Sequence, residues 1–116
     1  MRDLLADVTA ALEADSRVTI GDTDTLVSTE GITCIVYFDG IDAPPSNLQR
    51  VRVDAYLTPK LEDNREQEVR EESLIVWGIL YDIPGTVLQT VNRFQEKIDT
   101  SYDSSMFIGM RVIVSG

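Results

Sequence analysis

The chain has 116 residues, of which 43% are hydrophobic and 26% charged, a composition typical of a globular protein that predicts a single domain over residues 1–116. Twenty acidic against ten basic side chains give a net charge of −10, which argues against specific nucleic-acid binding because phosphates are held by clustered Lys and Arg. With no histidine and one cysteine, Cys34, the chain excludes Ser-His-Asp triads, His-ligated metal sites and an intramolecular disulfide.

The first predicted element is an amphipathic helix over about residues 2–15. Its apolar side chains recur at helical spacing, at Leu4, Leu5, Val8, Ala11 and Leu12. The charged start of the chain lacks the apolar core of a signal peptide, and no apolar run approaches the roughly 18 residues of a membrane span. We therefore expect no membrane partner and no export by a signal peptide.

Two strands are predicted to follow this helix. Residues 17–20 are largely β-branched and end at residues 21–24, Gly-Asp-Thr-Asp, a cluster that favours a turn. Residues 31–38 are β-branched or aromatic at most positions, which is typical of an interior strand, and Asp-Gly at 39–40 is predicted to end it. Cys34 lies in this strand without a neighbouring base, so we interpret it as a buried small side chain.

Residues 41–49 are predicted to form an exposed loop, because Pro-Pro-Ser-Asn at 44–47 cannot continue a strand ladder. Four apolar side chains in this loop have no evident place in the core: Ile41, Pro44, Pro45 and Leu48. Apolar side chains on an exposed loop commonly mark a binding surface, so we predict that these four contact another subunit or a partner protein. The alternative is that Leu48 folds back over the sheet of its own chain.

The second half of the chain is predicted to hold one more alternating strand, a long helix and a closing strand. Residues 50–57 alternate between apolar and polar side chains, as in a strand with one wet face. Residues 62–82 are rich in helix formers, with Glu66 and Arg70 at i,i+4 spacing. Residues 106–115 alternate again and predict a strand.

Two segments fit either secondary structure. Residues 74–81 continue the helical phase, but their Val, Ile, Trp and Tyr content also favours a strand. Residues 86–98 are compatible with a helix capped by Thr86 and Gln89, or with a strand over residues 87–94. The residues of each segment, taken alone, do not decide between a helix and a strand.

The residues that carry chemistry in other proteins are better explained here by structure. Asp22 and Asp24 offer two ligands for a cation but more naturally form a turn, and Trp77, Tyr81 and Phe94 are either core or the lining of a pocket or interface. The carboxylates of the second predicted helix alternate with arginines and indicate a solvated, ion-paired face: Glu62, Asp63, Glu66, Glu68, Glu71 and Glu72. We therefore predict no catalytic residue, no metal and no cofactor.

The order of these elements resembles that of the tail terminator proteins of long-tailed, lambda-like viruses. The most specific features are an apolar strand that closes in Val-Tyr-Phe-Asp-Gly at 36–40, an alternating strand that closes in Leu-Thr-Pro at 57–59, and Asp-Ile-Pro at 82–84 after a helix. The chain departs from the lambda pattern by a shorter loop after Gly40 and a shorter segment between Phe94 and Met106.

The resemblance implies an α+β fold, in the order α-β-β-β-α-β-β, with a mixed or antiparallel sheet. It implies a second helix over residues 62–81 and a strand over 87–94 beside residues 106–115. It further implies a ring, most simply a hexamer, that caps the tail tube, stops its polymerisation and presents the surface that joins the head. The expected partners are other copies of the chain, the tail tube protein and a head-completion connector protein, in a virion assembled in the host cytoplasm.

Other functions fit the same residues. Within viruses, the chain is also compatible with another head-to-tail connector, such as a head-completion or stopper protein. Outside viruses, a small binding module or a carboxylate-based enzyme remain alternatives, the latter requiring two acids that converge in one pocket. DNA that passes through the lumen of a ring would be repelled by the acidic wall and not bound specifically.

Overall fold

Two helices and five strands of the described chain follow one another in the order α-β-β-β-α-β-β, so the predicted α+β fold is confirmed. The computed structural model describes residues 2–21, 31–57, 65–99 and 104–116. The elements are α1 (Leu4–Glu13), β1 (Val18–Gly21), β2 (Ile32–Ile41), β3 (Gln49–Tyr56), α2 (Arg65–Tyr81), β4 (Val87–Asp99) and β5 (Ser104–Ser115).

The five strands form one mixed sheet in the order β1-β2-β3-β5-β4. β1 runs parallel to β2, and each of the other neighbouring pairs is antiparallel. α1 contacts β1, β2 and β3, whereas α2 contacts α1, β4 and β5. Both helices pack into the same core, so they cover one face of the sheet, and β4 forms one of its edges.

The core lies between the helices and the sheet, along the apolar stripes that the sequence predicts. Leu4, Val8 and Leu12 of α1 are fully buried, as their helical spacing requires. α2, β3 and β5 contribute further buried side chains to the same cluster: Val69, Val76, Leu80, Val51, Val53, Val112 and Val114. Full burial of one such side chain stabilises a fold by roughly 1.5–3 kcal/mol, so these stripes hold both helices on the sheet.

Gln49 ties the start of α1 to one end of the sheet. Its side-chain Oε1 accepts a hydrogen bond from the backbone N–H of Leu4 at 3.1 Å, and its Nε2 donates to the carbonyl of Arg2. Its backbone exchanges two hydrogen bonds with Gly116, at 2.9 and 3.1 Å. The start of α1, the start of β3 and the end of β5 therefore lie together at this end.

Two details of the predicted strands are wrong. β2 does not end at residues 39–40. A bulge between Phe38 and Gly40 keeps these residues within the strand, and pairing with β3 continues to Ile41. Gly40 has a φ of 126°, which is accessible to glycine and explains why the bulge lies there. The polar face of β3 is not wet along its whole length, because Asp54 and Tyr56 are only 2% and 6% exposed.

Both ambiguous segments have a single structure. α2 continues through Tyr81, because Val76 and Leu80 extend its buried stripe into the core. The segment after it is a strand, as the resemblance implies, but it extends beyond residue 94, since β4 pairs with β5 from Val87 to Asp99. The Oγ1 of Thr86 donates to the carbonyl of Ile83 at 2.8 Å and caps no helix. The sequence predicts a turn at residues 21–24, of which residues 22–24 lie outside the described residues.

Cys34 is fully buried in β2, which confirms its interpretation as a small core side chain. Burial raises the pKa of its thiol from an ordinary value of 9.0 to about 12. Because the thiolate is the reactive form, we expect iodoacetamide to leave the folded protein unmodified at pH 8 and to alkylate it in urea. Equal rates of alkylation in the two states, followed by mass spectrometry, would contradict this burial.

The same thiol predicts a loss of stability in alkali. The native state keeps the proton while the unfolded chain releases it above pH 9, so the contribution of Cys34 is complete below pH 9 and is lost as the pH rises towards 12. Between pH 8 and pH 10 this loss should amount to about 1.4 kcal/mol. Urea unfolding at both pH values checks it, with Cys34→Ala as the control that lacks this part of the pH dependence.

Candidate functional site

The residues predicted to contact a partner come together at the end of the β2–β3 hairpin, which we call the hairpin tip: Ile41, Pro44, Pro45 and Leu48. The predicted loop over residues 41–49 is wrong at both ends, because Ile41 and Gln49 pair with each other as strand residues. All four are exposed, Ile41 to 53% and Leu48 to 41%. Phe38, three residues earlier on β2, is also 53% exposed. Leu48 is therefore only partly covered by its own chain, and the contact role of the hairpin tip stays a prediction.

Bonds within the hairpin tip hold it closed. The backbone N–H of Asp42 donates to the carbonyl of Leu48 at 2.8 Å, which continues the ladder beyond the last strand pair. The carboxylate of Asp42 pairs with Arg50, with Oδ1 and Nε 3.3 Å apart. Asn47 adopts a φ of 52° and its Nδ2 donates to the carbonyl of Pro45 at 3.4 Å. The apolar side chains are thus displayed on an ordered turn, which lowers the entropy lost on binding.

A second exposed apolar surface lies where α2 passes over the edge strand β4, and we call it the aromatic groove: Leu74, Trp77, Tyr81, Val87 and Val91. Their exposed fractions run from 39% for Trp77 to 66% for Val87. The rings of Trp77 and Tyr81 stack with centroids 4.8 Å apart and an interplanar angle of 17°. Two clefts, of about 380 and 240 Å³, flank Trp77 on either side.

The exposure of Trp77 differs from the usual core position of a lone tryptophan. From residue 74 onward α2 is apolar on nearly every side, and such a helix buries more than one face. That pattern indicates an additional apolar face on α2 but not which side of the helix stays exposed. Phe94, which the sequence groups with Trp77 and Tyr81, lies on the other face of the sheet against Tyr56, with ring centroids 5.5 Å apart.

The sheet face opposite the helices holds a charged network that no local pattern of the sequence shows. The buried carboxylate of Asp54 accepts two hydrogen bonds from Arg111, at 2.7 and 3.1 Å, and lies 3.6 Å from Nε of Arg52. The guanidinium of Arg52 stacks on Tyr37 at 4.1 Å from the ring centroid, and that of Arg111 lies 5.1 Å from Phe94. Since both oxygens of the Asp54 carboxylate are engaged by these two arginines, we interpret the network as structural.

Two acidic side chains of α2, Glu66 and Glu71, form pairs on the surface. Glu66 accepts hydrogen bonds from Arg93 of β4 at 2.7 and 2.9 Å, which raises the pKa of Arg93, and Gln67 donates to Glu71 at 3.1 Å. Exposed pairs of this kind contribute about 0–1 kcal/mol. The predicted solvated face is wrong at Glu72, which is 8% exposed. Four predicted acids lie outside the described residues: Asp22, Asp24, Glu62 and Asp63.

Comparisons with known proteins leave the two apolar surfaces as the basis for inferring function. A scan against protein-family models finds no matching family, and a search of curated proteins finds no significant match. In the described residues, neither helix has the length and apolar character to cross a membrane. Over the same residues, no three side chains of metal-binding type come together. We take the hairpin tip and the aromatic groove, two exposed apolar surfaces, as the candidate functional site.

Proposed function

We propose that this protein is a structural protein of the tail-terminator type, which closes into a ring over the end of a viral tail tube. The observation that carries the proposal is the hairpin tip, an ordered turn that exposes four apolar side chains on an α+β domain. Exposed apolar side chains clustered on an ordered turn indicate a contact that forms on assembly. The order of elements, which resembles that of tail terminators, supports the same function.

In this function the protein acts by steric cover and not by covalent chemistry. A ring, most simply of six copies, covers the polymerising face of the last tube ring, so that no further tube subunit adds. Its opposite face joins the head through a head-completion protein. The net charge of −10 suits a wall past which DNA moves, because like charge keeps the duplex from adhering.

Replacing Ile41 and Leu48 together by Ser is expected to weaken capping of the tube. About half of each side chain is exposed, so covering that half contributes about 1 kcal/mol per residue, and the double variant should cap roughly 30-fold less tightly. The unfolding midpoint of the isolated chain should change little. Capping is measured as the length distribution of tubes that the tail tube protein forms in the presence of each variant, by electron microscopy.

The matched control replaces two exposed residues of α1, Ala6→Ser with Ala10→Ser, and should cap normally. Normal capping by the Ile41→Ser, Leu48→Ser variant, combined with a lowered unfolding midpoint, would show that both residues serve the core of their own chain. Tube lengths that stay the same with and without the wild-type chain, together with binding to the head-side connector, would favour a connector protein instead.

A further inference from the structure

The aromatic groove is a second exposed apolar surface, on a different flank of the subunit from the hairpin tip. With side chains of up to roughly 250 Å² each, its five residues expose on the order of 500 Å² of apolar surface, a size at which a patch on a monomer commonly marks an interaction site. We propose that the aromatic groove of one copy receives the hairpin tip of the next copy. This inference rests on the proposed ring and identifies the contact that closes it.

The positions of the two surfaces are those that a closed ring requires. Gln49, which follows the hairpin tip in the chain, bonds to Gly116. Val87 of the aromatic groove pairs with Ser115, the residue before Gly116. Both surfaces therefore lie at the same end of the sheet, one beyond β2 and β3 and the other along the β4 edge. Rotation about a ring axis keeps every point at constant height, so two different surfaces at one height are able to meet between neighbours when the axis follows the strands.

The size and shape of the two surfaces match what such a contact needs. A specific interface buries roughly 800 Å² on each partner, of which a little over half is non-polar. The exposed apolar area of the groove supplies about that non-polar share. The hairpin tip is a protruding turn that carries Pro44 and Pro45, and the stacked rings of Trp77 and Tyr81 beside a cleft of about 380 Å³ offer it an apolar surface of matching size.

The charges around the two surfaces favour an apolar contact over an ionic one. Asp42 is the one charged residue within residues 41–48, and it is already paired with Arg50. Asp39 is exposed just before the hairpin tip, and Asp82 is exposed at the end of the groove. Each copy carries a net charge of −10, so neighbouring copies repel one another, and added salt screens that repulsion and should strengthen the ring. An acidic or basic partner held in the groove by ion pairs would instead bind less tightly in salt.

The test is a cysteine cross-link between copies assembled on tail tubes. Leu48→Cys and Tyr81→Cys both change exposed residues, and the native Cys34 is buried and does not compete. A mixture of the two single variants should give a disulfide-linked dimer on non-reducing gels, whereas either variant alone should not. A chain with both changes should give a covalent ladder up to the full ring. Leu48→Cys mixed with Thr19→Cys, an exposed position on β1, is the control and should give no cross-link.

Rings that assemble without the cross-link between Leu48→Cys and Tyr81→Cys would overturn this inference and leave the proposed function intact. Dimers formed by Leu48→Cys alone would also overturn it, since they would show a symmetric contact between two tips. If no ring assembles from the wild-type chain, the proposed function itself fails and the inference fails with it. As a second variant, Tyr81→Ser with Val87→Ser should reduce ring formation at least tenfold without a change in the unfolding midpoint.

Discussion

Asp54→Ala is expected to lower the free energy of unfolding by about 3 kcal/mol. The carboxylate is 2% exposed, and it accepts two hydrogen bonds from Arg111 while it faces Arg52. Its removal leaves two guanidinium groups side by side without the anion that separates them. The cost is at the low end of the range for a buried ion pair, because the arginine side chains are 32% and 41% exposed and are partly solvated.

Urea unfolding measures this cost, with the fluorescence of Trp77 as the signal. Asp39→Ala is the matched control, an exposed aspartate on β2 whose removal should change the free energy by less than about 0.5 kcal/mol. Asp54→Asn should fall between the two, because the amide keeps one acceptor oxygen and loses the charge. Equal stabilities of the Asp54→Ala and Asp39→Ala variants would show that the network contributes nothing to the fold.

Gly109→Ala is expected to cost about 2 to 3 kcal/mol, because the added methyl group would displace the ring of Phe94 from its contact with Tyr56. Gly109 of β5 lies between Phe94 of β4 and Tyr56 of β3 in the sheet, and the two rings meet edge to face across it. A Cβ at this position would come closer than 3.0 Å to three atoms of the Phe94 ring. The glycine is therefore what allows the aromatic pair to form over β5.

A double-mutant cycle distinguishes the cost of this clash from any cost that alanine has at position 109 when the Phe94 ring is absent. In a Phe94→Ala background the ring is absent, so Gly109→Ala should then change stability by less than about 0.5 kcal/mol. The coupling energy between the two positions should be about 2 kcal/mol. A cost of Gly109→Ala that is the same in both backgrounds would contradict the proposed packing.

The elements predicted correctly from the sequence are those in which the spacing of apolar residues is compatible with only one type of secondary structure. The 3.6-residue period of Leu4, Val8 and Leu12 fits only a helix, and the strict alternation of residues 106–115 fits only a strand. In β4, by contrast, Val87, Val91 and Phe94 satisfy a helical spacing as well as a strand. Pairing with β5 decides between them, and that pairing depends on residues distant in the chain.

The hairpin tip and the aromatic groove also differ in how far the sequence predicts them. The exposure of the hairpin tip was predictable because the prolines at 44 and 45 end the strand ladder and place apolar residues next to a turn. The aromatic groove was only partly predictable, because an all-round apolar helix does not reveal which side stays open. The Asp54–Arg111 pair joins residues 57 positions apart, and the bulge at Gly40 depends on the register of β2 against β3. Neither the ion pair nor the bulge produces a recognisable pattern in the sequence of a single helix or strand.

The ring itself is tested most directly by cryo-electron microscopy of the assembled particle. The proposed function predicts a closed ring of this chain at the end of the tail tube, most simply with six copies, in which the hairpin tip of each copy lies against its neighbour. A single copy at that position, or an open helical filament of copies, would contradict the proposal.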